Sequence, residues 1–355
     1  MIRTLGLFAA PRKPNVDDLT RRLVVVCQSR GIAVKMQREI GALAGFPELC
    51  CDDDDEIARV DVLVTFSGDG GVLKAARFAA PHQTPVLAVD LGRLGFLSAV
   101  RPAEIEAALH RVLDGEFEIE ERMMLDARVL RRHLLNNGAP QSTLMPIVEA
   151  GEEAGEADGS FSAGAPIISL ATAPETALQQ AFRDAQSTLQ SAAAADCFEV
   201  GGSIGLNDAV VAKSALARIL KISISIGGEL VAQTRADGLV ISTPTGSTAY
   251  ALAAGGPIVD PEVPLLLICP ICAHSIAQRP LVIGPDQTIE IQTEWEGDEV
   301  SPDVLEAMLT IDGQVGVRLQ SGDRVRVQRS PLTARLLKPP ANSFFTRLRE
   351  KLHWI

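Results

Sequence analysis

With 355 residues, 46% of them apolar, the chain is long enough for two domains with hydrophobic cores and too apolar to be disordered. A formal net charge of −12, without any basic run, argues against nonspecific binding to nucleic acid or to anionic membrane surfaces. The six cysteines fall at irregular spacings unlike a secreted disulfide framework, and no apolar run is long enough to span a bilayer.

In chain order, the stretch after Met1, IRTLGLFAAP, is too short an apolar segment for a signal peptide, so a soluble cytoplasmic protein is expected. Within it TLGLFA reads as a first strand. Asn15 is placed to cap a helix that turns Leu19, Leu23, Val26 and Cys27 to one side, and Gly31 sits where that helix should end. IAVKMQ, Val60 to Phe66 and PVLAVDLG are the next strands. The acidic run Asp52 to Glu56 reads as a solvated loop. A helix from Pro102 carries Ile105, Leu109, Val112 and Leu113 at helical spacing, with Gly115 past its end. This alternation predicts an α/β domain, a parallel sheet covered by helices, over residues 1–120.

Composition then shifts. Residues 136–197 are rich in Ala, Gly, Glu, Ser, Thr and Gln and read as a flexible insert within a second domain, 121–330. From Phe198 the pattern is β. LKISISIGGELVAQT is a hairpin about Gly227-Gly228, and GLVIST, PLLLIC, PLVIG, TIEIQTEW, AMLTIDGQVGVRL and DRVRVQRS continue an all-β domain, with turns at Asp312-Gly313 and Ser321-Gly322. Cys269 and Cys272 form a C-x-x-C without a second pair, which reads as a buried strand running into a loop. The end of the tail, SFFTRLREKLHWI (343–355), returns to a helical pattern.

Three stretches could carry chemistry. In DVLVTFSGDGGVLKAAR a strand ends at Phe66, a glycine-rich turn holds Asp69, and a helical pattern begins at Val72. It is neither a Walker loop nor a dinucleotide fingerprint, because Leu73 stands where the third glycine is needed. The context suits backbone amides facing an anion, yet a carboxylate repels phosphate. Asp69 is either an acid or base beside bound phosphates or a residue that merely suits the turn, and this stretch alone leaves both open. In RADGLVISTPTGSTAYALAAGGPIVD a strand runs into a turn with five hydroxyls in seven residues (Ser242, Thr243, Thr245, Ser247 and Thr248) before a small-residue helix that GGP terminates. Capping uses one or two hydroxyls, so the surplus suggests ligand contacts, against the alternative of a hydroxyl-rich loop. Tyr250, the only tyrosine, could stack on a base. In GLNDAVVAK, Asn207 and Asp208 could read a sugar diol or an adenine edge, or simply form a turn.

Together these segments resemble the NAD kinase family. Its Gly-Gly-Asp-Gly-Thr loop corresponds to Ser67-Gly68-Asp69-Gly70-Gly71, its Asn-x-Gly-x-Leu-Gly-Phe-Leu segment to DLGRLGFL from Asp90 to Leu97, and its Asn-Glu pair to Asn207-Asp208. The long signature Asp-Gly-Leu…Thr-Pro-Thr-Gly-Ser-Thr-Ala-Tyr…Gly-Gly-Pro matches Asp237 through Pro257 almost unbroken, and ICAHSIAQRPLVI and the terminal LREKLHW also look like the family. The resemblance covers nearly the whole chain except the insert. The Thr-Pro-Thr-Gly-Ser-Thr-Ala-Tyr match is specific, whereas similar Gly-Asp-Gly loops occur in lipid kinases and phosphofructokinases.

The resemblance implies a Rossmann-like N-terminal α/β domain, an all-β sandwich-like C-terminal domain and a tail, 331–355, that packs back on the first domain. It implies a homodimer or homotetramer that phosphorylates the adenosine ribose 2′-hydroxyl of NAD to give NADP. The donor would be ATP or polyphosphate, with a divalent metal, Mg²⁺, and no metal-ligating residue is assigned. Asp69 would be the general base. Gly68 and Gly70 would let the loop pass close to diphosphates, with Lys74 near them. Asn207 and Asp208 would hold the ribose and adenine, and Thr245, Thr248, Ala249, Tyr250 and Ala253 would line that pocket. Asp237 with Arg235 would meet the nicotinamide end, and Arg218 and Gln314 match further binding positions. Four departures stand out: Ser67 for Gly, Gly71 for Thr, Asp90 for Asn and Asp208 for Glu. The alternatives are a noncatalytic NAD(P)-binding regulatory protein, which the Gly71 and Asp90 departures would favour, and a lipid kinase sharing the loop, against which the Tyr250 signature argues.

Overall fold

The computed structural model describes residues 2–10, 13, 15–91, 95–98, 100–132, 197–214, 219–274, 278–294, 307–338 and 343–352. Of the insert expected at 136–197, only Cys197 lies within them. The chain forms two units: Met1–Met123 with Asp260–Glu262 and Leu332–Ile355, and Met124–Val259 with Val263–Pro331.

In the first unit the order is β1 (Thr4–Ala9), α1 (Val16–Ser29), β2 (Ala33–Gln37), α2 (Arg38–Ala44), β3 (Cys50–Cys51), α3 (Asp54–Ala58), β4 (Val62–Ser67), α4 (Asp69–Ala79), β5 (Val86–Asp90) and α5 (Ile105–Leu113). The strands lie β5-β4-β1-β2-β3, all parallel, as their alternation with helices predicts. Every residue of β4 and β5 is buried, the mark of strands covered on both faces. Leu19, Leu23 and Cys27 of α1 and Ile105, Leu109 and Val112 of α5 join Leu5, Leu7, Val64, Phe66, Leu87 and Val89 in one core. A helix at Phe344–Leu352 belongs to this unit and gives the tail its expected helical character.

Two local expectations change. Asn15 precedes α1 but makes no side-chain cap; it takes the left-handed conformation (φ 62°) that asparagine tolerates. The acidic run is not a loop but contributes α3. The Asp53 side chain accepts from the Asp55 amide, and Asp54, Asp55 and Glu56 fill the first turn, where the helix dipole favours negative charge.

β6 (Glu118–Arg132) carries the chain into the second unit, where it pairs antiparallel with β7 (Cys197–Gly205). Then come β8 (Asp208–Lys213), β9 (Leu220–Ile226), β10 (Glu229–Ala236), β11 (Gly238–Ser242), β12 (Leu266–Ile271), β13 (Leu281–Ile283), β14 (Ile289–Glu294), β15 (Ala307–Ile311), β16 (Val315–Leu319) and β17 (Arg324–Lys338). One antiparallel sheet runs β13-β12-β11-β8-β15-β16. β9 and β10 form the expected hairpin, Gly227 and Gly228 taking positive φ, and β9 pairs on with β14 and β14 with the start of β17. β17 outruns its prediction: it begins in the second unit and ends in the first, where Leu336 pairs with Val86 of β5. Of the C-x-x-C, Cys269 is buried in β12, its thiol pushed up to about 11 by burial, and Cys272 is exposed; both are free.

Candidate active site

In the first unit α4 opens at Asp69, three residues before its apolar periodicity begins, with Gly68 at the N-cap. A carboxylate in the first turn faces the positive end of the helix dipole, which gives the acid a place in this glycine turn without any ligand. Asp69 is also fixed from outside the helix. Its Oδ2 accepts from the Phe96 amide at 2.9 Å and its Oδ1 from the Leu97 amide at 3.2 Å. These bonds occupy about two of roughly four lone-pair positions, leaving acceptor capacity on each oxygen. Gly95 is required here, because a Cβ on it would collide with the Asp69 carboxylate. Asp90, buried at the end of β5, accepts from the Gly95 amide at 2.8 Å, so the departure from Asn at this position secures the same segment. Lys74, further along α4, lies 5.2 Å from the centre of the Phe8 ring and 4.0 Å from Asp54.

Ser67 and Gly71, two departures from the family pattern, are one change. The Ser67 side chain fills the space a Cβ on Gly71 would need, and its Oγ is 2.9 Å from Thr65 Oγ1. A side chain fits at 67 or at 71, not at both. Gly71→Thr alone is therefore expected to cost about 1–3 kcal/mol by overpacking. Adding Ser67→Gly should recover most of that, a non-additivity read from unfolding midpoints of the two single variants and the double variant. Additive losses would mean the two positions do not share this space.

The C-terminal helix reaches the same segment. Lys351 Nζ lies 5.0 Å from the centre of the Phe96 ring. On its inner side Arg347 is 2% exposed, as is Arg122. Glu120 lies between them, 3.0 Å from Arg122 and 4.0 Å from Arg347. Burial, and then the charge of Arg122, push the Arg347 guanidinium below the ordinary arginine range, while Glu120 and Asp69 oppose the shift.

In the second unit three segments meet. Asn207 and Asp208 enter β8; the loop after β11 holds Thr245, Thr248, Ala249, Tyr250 and Ala253; and the β15–β16 turn holds Gln314. The Thr243 amide donates to Asn207 O at 2.9 Å, and any Cβ on Gly246 would strike that same carbonyl. The small-residue helix expected after TPTGST is shorter than its pattern: one 3-10 turn, Thr245–Thr248, and one helical turn, Tyr250–Ala253. The reading of surplus hydroxyls also changes, because the loop uses four of the five itself. Thr243 Oγ1 donates to Leu206 O and accepts from the Gly246 amide, Ser242 Oγ bonds Asn207 O, Ser247 Oγ bridges both backbone groups of Val259, and Thr248 Oγ1 donates to Thr245 O. Tyr250 is 54% exposed, so its ring is available for stacking.

Arg235 and Asp237 stand apart, beyond the opposite end of β11 and roughly 20 Å along the strand from the Thr243 turn. Asp237 lies 3.4 Å from Lys213. Arg235 lines a cleft of about 270 Å³ with Lys221, Gln233, Thr234 and Glu294. Arg218 lies outside the described residues. The sequence reading missed Asp312, which it took only as half of an Asp-Gly turn. Its carboxylate accepts the amides of Leu206 (2.9 Å), Asn207 (2.7 Å) and Asp208 (3.3 Å). Burial, with Asp312 beside it, pushes the Asp208 carboxyl up to about 7, and the Tyr250 amide pulls it partly back.

A family model of the ATP-NAD kinase N-terminal domain matches residues 5–117, and one of the ATP-NAD kinase C-terminal domain matches residues 206–338. The NAD kinase of Moorella thermoacetica is 33% identical over 351 residues, covering 99% of this chain and 89% of its own. That of Desulforamulus reducens is 32% identical over 351 residues, covering 99% and 97%. Among solved structures, yeast NADH kinase complexed with NADH matches with a TM-score of 0.73 at 22% identity over 99% of this chain and 88% of its own. An NAD kinase from Archaeoglobus fulgidus in complex with ATP matches with a TM-score of 0.63 at 17% identity over 99% of both chains. At those identities the two structures are likenesses of fold.

Proposed function

Because this chain belongs to the NAD kinase family, we propose that it transfers the terminal phosphoryl group of ATP to the 2′-hydroxyl of the adenosine ribose of NAD, giving NADP. Its activity is that of an NAD kinase, a phosphotransferase with an alcohol as acceptor. Asp69 takes the hydroxyl proton as the new O–P bond forms and ADP leaves. The observation that carries this role is the way Asp69 is held: fixed by two backbone amides, it keeps acceptor capacity for a hydroxyl. Gly68 and Gly70 bring the start of α4 close to the diphosphates, and Lys74 adds positive charge on the same helix.

Asn207 and Asp208 hold the adenosine, and Thr245, Thr248, Ala249, Tyr250 and Ala253 shape its pocket, with Gln314 and Arg218 as further contacts. Arg235 and Asp237, at the far end of β11, serve the nicotinamide end of an extended dinucleotide. Phosphoryl transfer of this kind depends on positioning and charge neutralisation more than on covalent help. Among the described residues no three His, Cys, Asp or Glu side chains gather as a metal-binding group. Mg²⁺ enters with ATP as the metal–nucleotide substrate. No described helix is long and apolar enough to cross a membrane. The reading extends to a cytoplasmic homodimer or homotetramer, as the resemblance implies.

Purified protein given NAD or NADH, Mg²⁺ and either ATP or polyphosphate should yield NADP(H), detected enzymatically, with ATP as an effective donor. Failure to form product with any donor would overturn the proposal.

A further inference from the structure

We infer that Asp312 is a positioning residue for nucleotide recognition: it organises the Asn207–Asp208 turn through that turn's own backbone, and so sets where the Asp208 carboxylate meets the dinucleotide. The inference rests on the reading of Asn207 and Asp208 as the adenosine-binding pair.

Three consecutive amides, those of Leu206, Asn207 and Asp208, converge on one side. Such a concave run of N–H groups normally invites an external anion. Here it is filled from within. Asp312 Oδ2 takes the Leu206 amide and Oδ1 takes those of Asn207 and Asp208, while the Asp312 amide donates back to Asp208 O at 2.9 Å. Asp312 is buried and left-handed (φ 52°), followed by Gly313 at φ 64°, the conformation of a tight hairpin turn with asparagine-like residues first. Turn geometry alone would accept Asn at this position. Only a carboxylate offers two acceptor oxygens to three donors; an amide would turn an N–H₂ group toward one of them.

With its amides occupied, the turn can offer a ligand only the side chains of Asn207 and Asp208. Asp208 is itself 5% exposed. The groups acting on it are the Asp312 carboxylate from the β15–β16 turn and the Tyr250 backbone amide from the loop after β11. Asp312 therefore has two separable effects: it fixes the turn, and its charge disfavours ionisation of Asp208. Ionised Asp208 is the better acceptor for ribose hydroxyls, so NAD affinity should rise as pH increases through about 7. Removing the Asp312 charge should move that rise to lower pH.

The experiment measures NAD affinity by calorimetry from pH 5.5 to 8.5 for wild type, Asp312→Asn and Asp208→Asn, with kcat at saturating NAD and the unfolding midpoint of each. Asp312→Asn should weaken NAD binding by about tenfold or more at pH 7.5, leave kcat within about threefold, and lower the midpoint of the pH dependence. Asp208→Asn should abolish that pH dependence. Two results would overturn the positioning role: wild-type affinity and pH midpoint in Asp312→Asn, or equal losses in affinity, kcat and thermal stability with an unmoved midpoint. Wild-type protein that forms NADP but shows no effect of Asp208→Asn on NAD affinity would instead remove the adenosine-pair reading beneath it.

Discussion

Asp69→Asn is expected to reduce NADP formation by about a hundred- to ten-thousand-fold, the usual contribution of a positioned acid or base, while NAD still binds. The substitution is nearly isosteric, so the Gly95 backbone that presses on this side chain is not displaced. It removes the basic oxygen and turns one acceptor into a donor opposite the Phe96 and Leu97 amides. Part of the loss will therefore come from a looser 95–98 segment. The two contributions separate by measurement: kcat reports the missing base, while NAD affinity and the unfolding midpoint report the segment. Asp69→Glu should not rescue activity, because its extra methylene enters space already closed by Gly95. A kcat within tenfold of wild type in Asp69→Asn would remove Asp69 from the proton-transfer step.

The largest expected effect on stability is at Glu120. Two guanidinium groups, each 2% exposed, flank its carboxylate, and Arg347 carries Nε and Nη2 atoms with no hydrogen-bond acceptor among the described residues. Glu120→Gln removes the carboxylate charge that lies between Arg122 and Arg347 in a low-dielectric setting, a loss of about 3–5 kcal/mol for a broken buried pair. Urea unfolding of the variant measures it, and a loss below about 1 kcal/mol would mean the cluster behaves like a surface pair. Arg347→Met in the Glu120→Gln background should return part of the loss, since it removes one of the two buried like charges.

Much of this architecture could be read in advance because strand and helix periodicities are local. The alternation through PVLAVDLG and the hairpins at Gly227-Gly228 and Asp312-Gly313 place the elements within a few residues. What stayed hidden depends on partners distant in sequence. The start of α4 was invisible because helical periodicity begins with its first apolar residue, Val72, while Asp69 is drawn into the helix by the dipole and by amides 27 and 28 residues away. Asp312 looked like a turn residue, and the turn does need it, but its carboxylate answers to Asn207, 105 residues earlier. The departures at 67 and 71 were visible singly; that each makes room for the other lies in their packing, Ser67 occupying the space beside Gly71. The hydroxyls of the Thr243 loop were over-read because composition does not distinguish hydroxyls spent on backbone carbonyls from those left for a ligand.

The division of β17 bears on how the chain is made. The outer edge of β5 is bridged by Val100 at Ala88–Asp90, while its Val86 end pairs with Leu336, which leaves the ribosome about 250 residues later; at roughly 5–20 residues per second that is on the order of tens of seconds. Throughout that interval the first unit has its helices up to α5, yet on the outer edge of the buried strand VLAVD only the Val100 bridge at Ala88–Asp90 is in place, and Val86 still lacks its partner. The nascent chain thus needs the second unit to be synthesised before the last pairing of the first, Val86 with Leu336, can form. That interval, and not the finished fold, is when the protein is most open to aggregation and most dependent on chaperones.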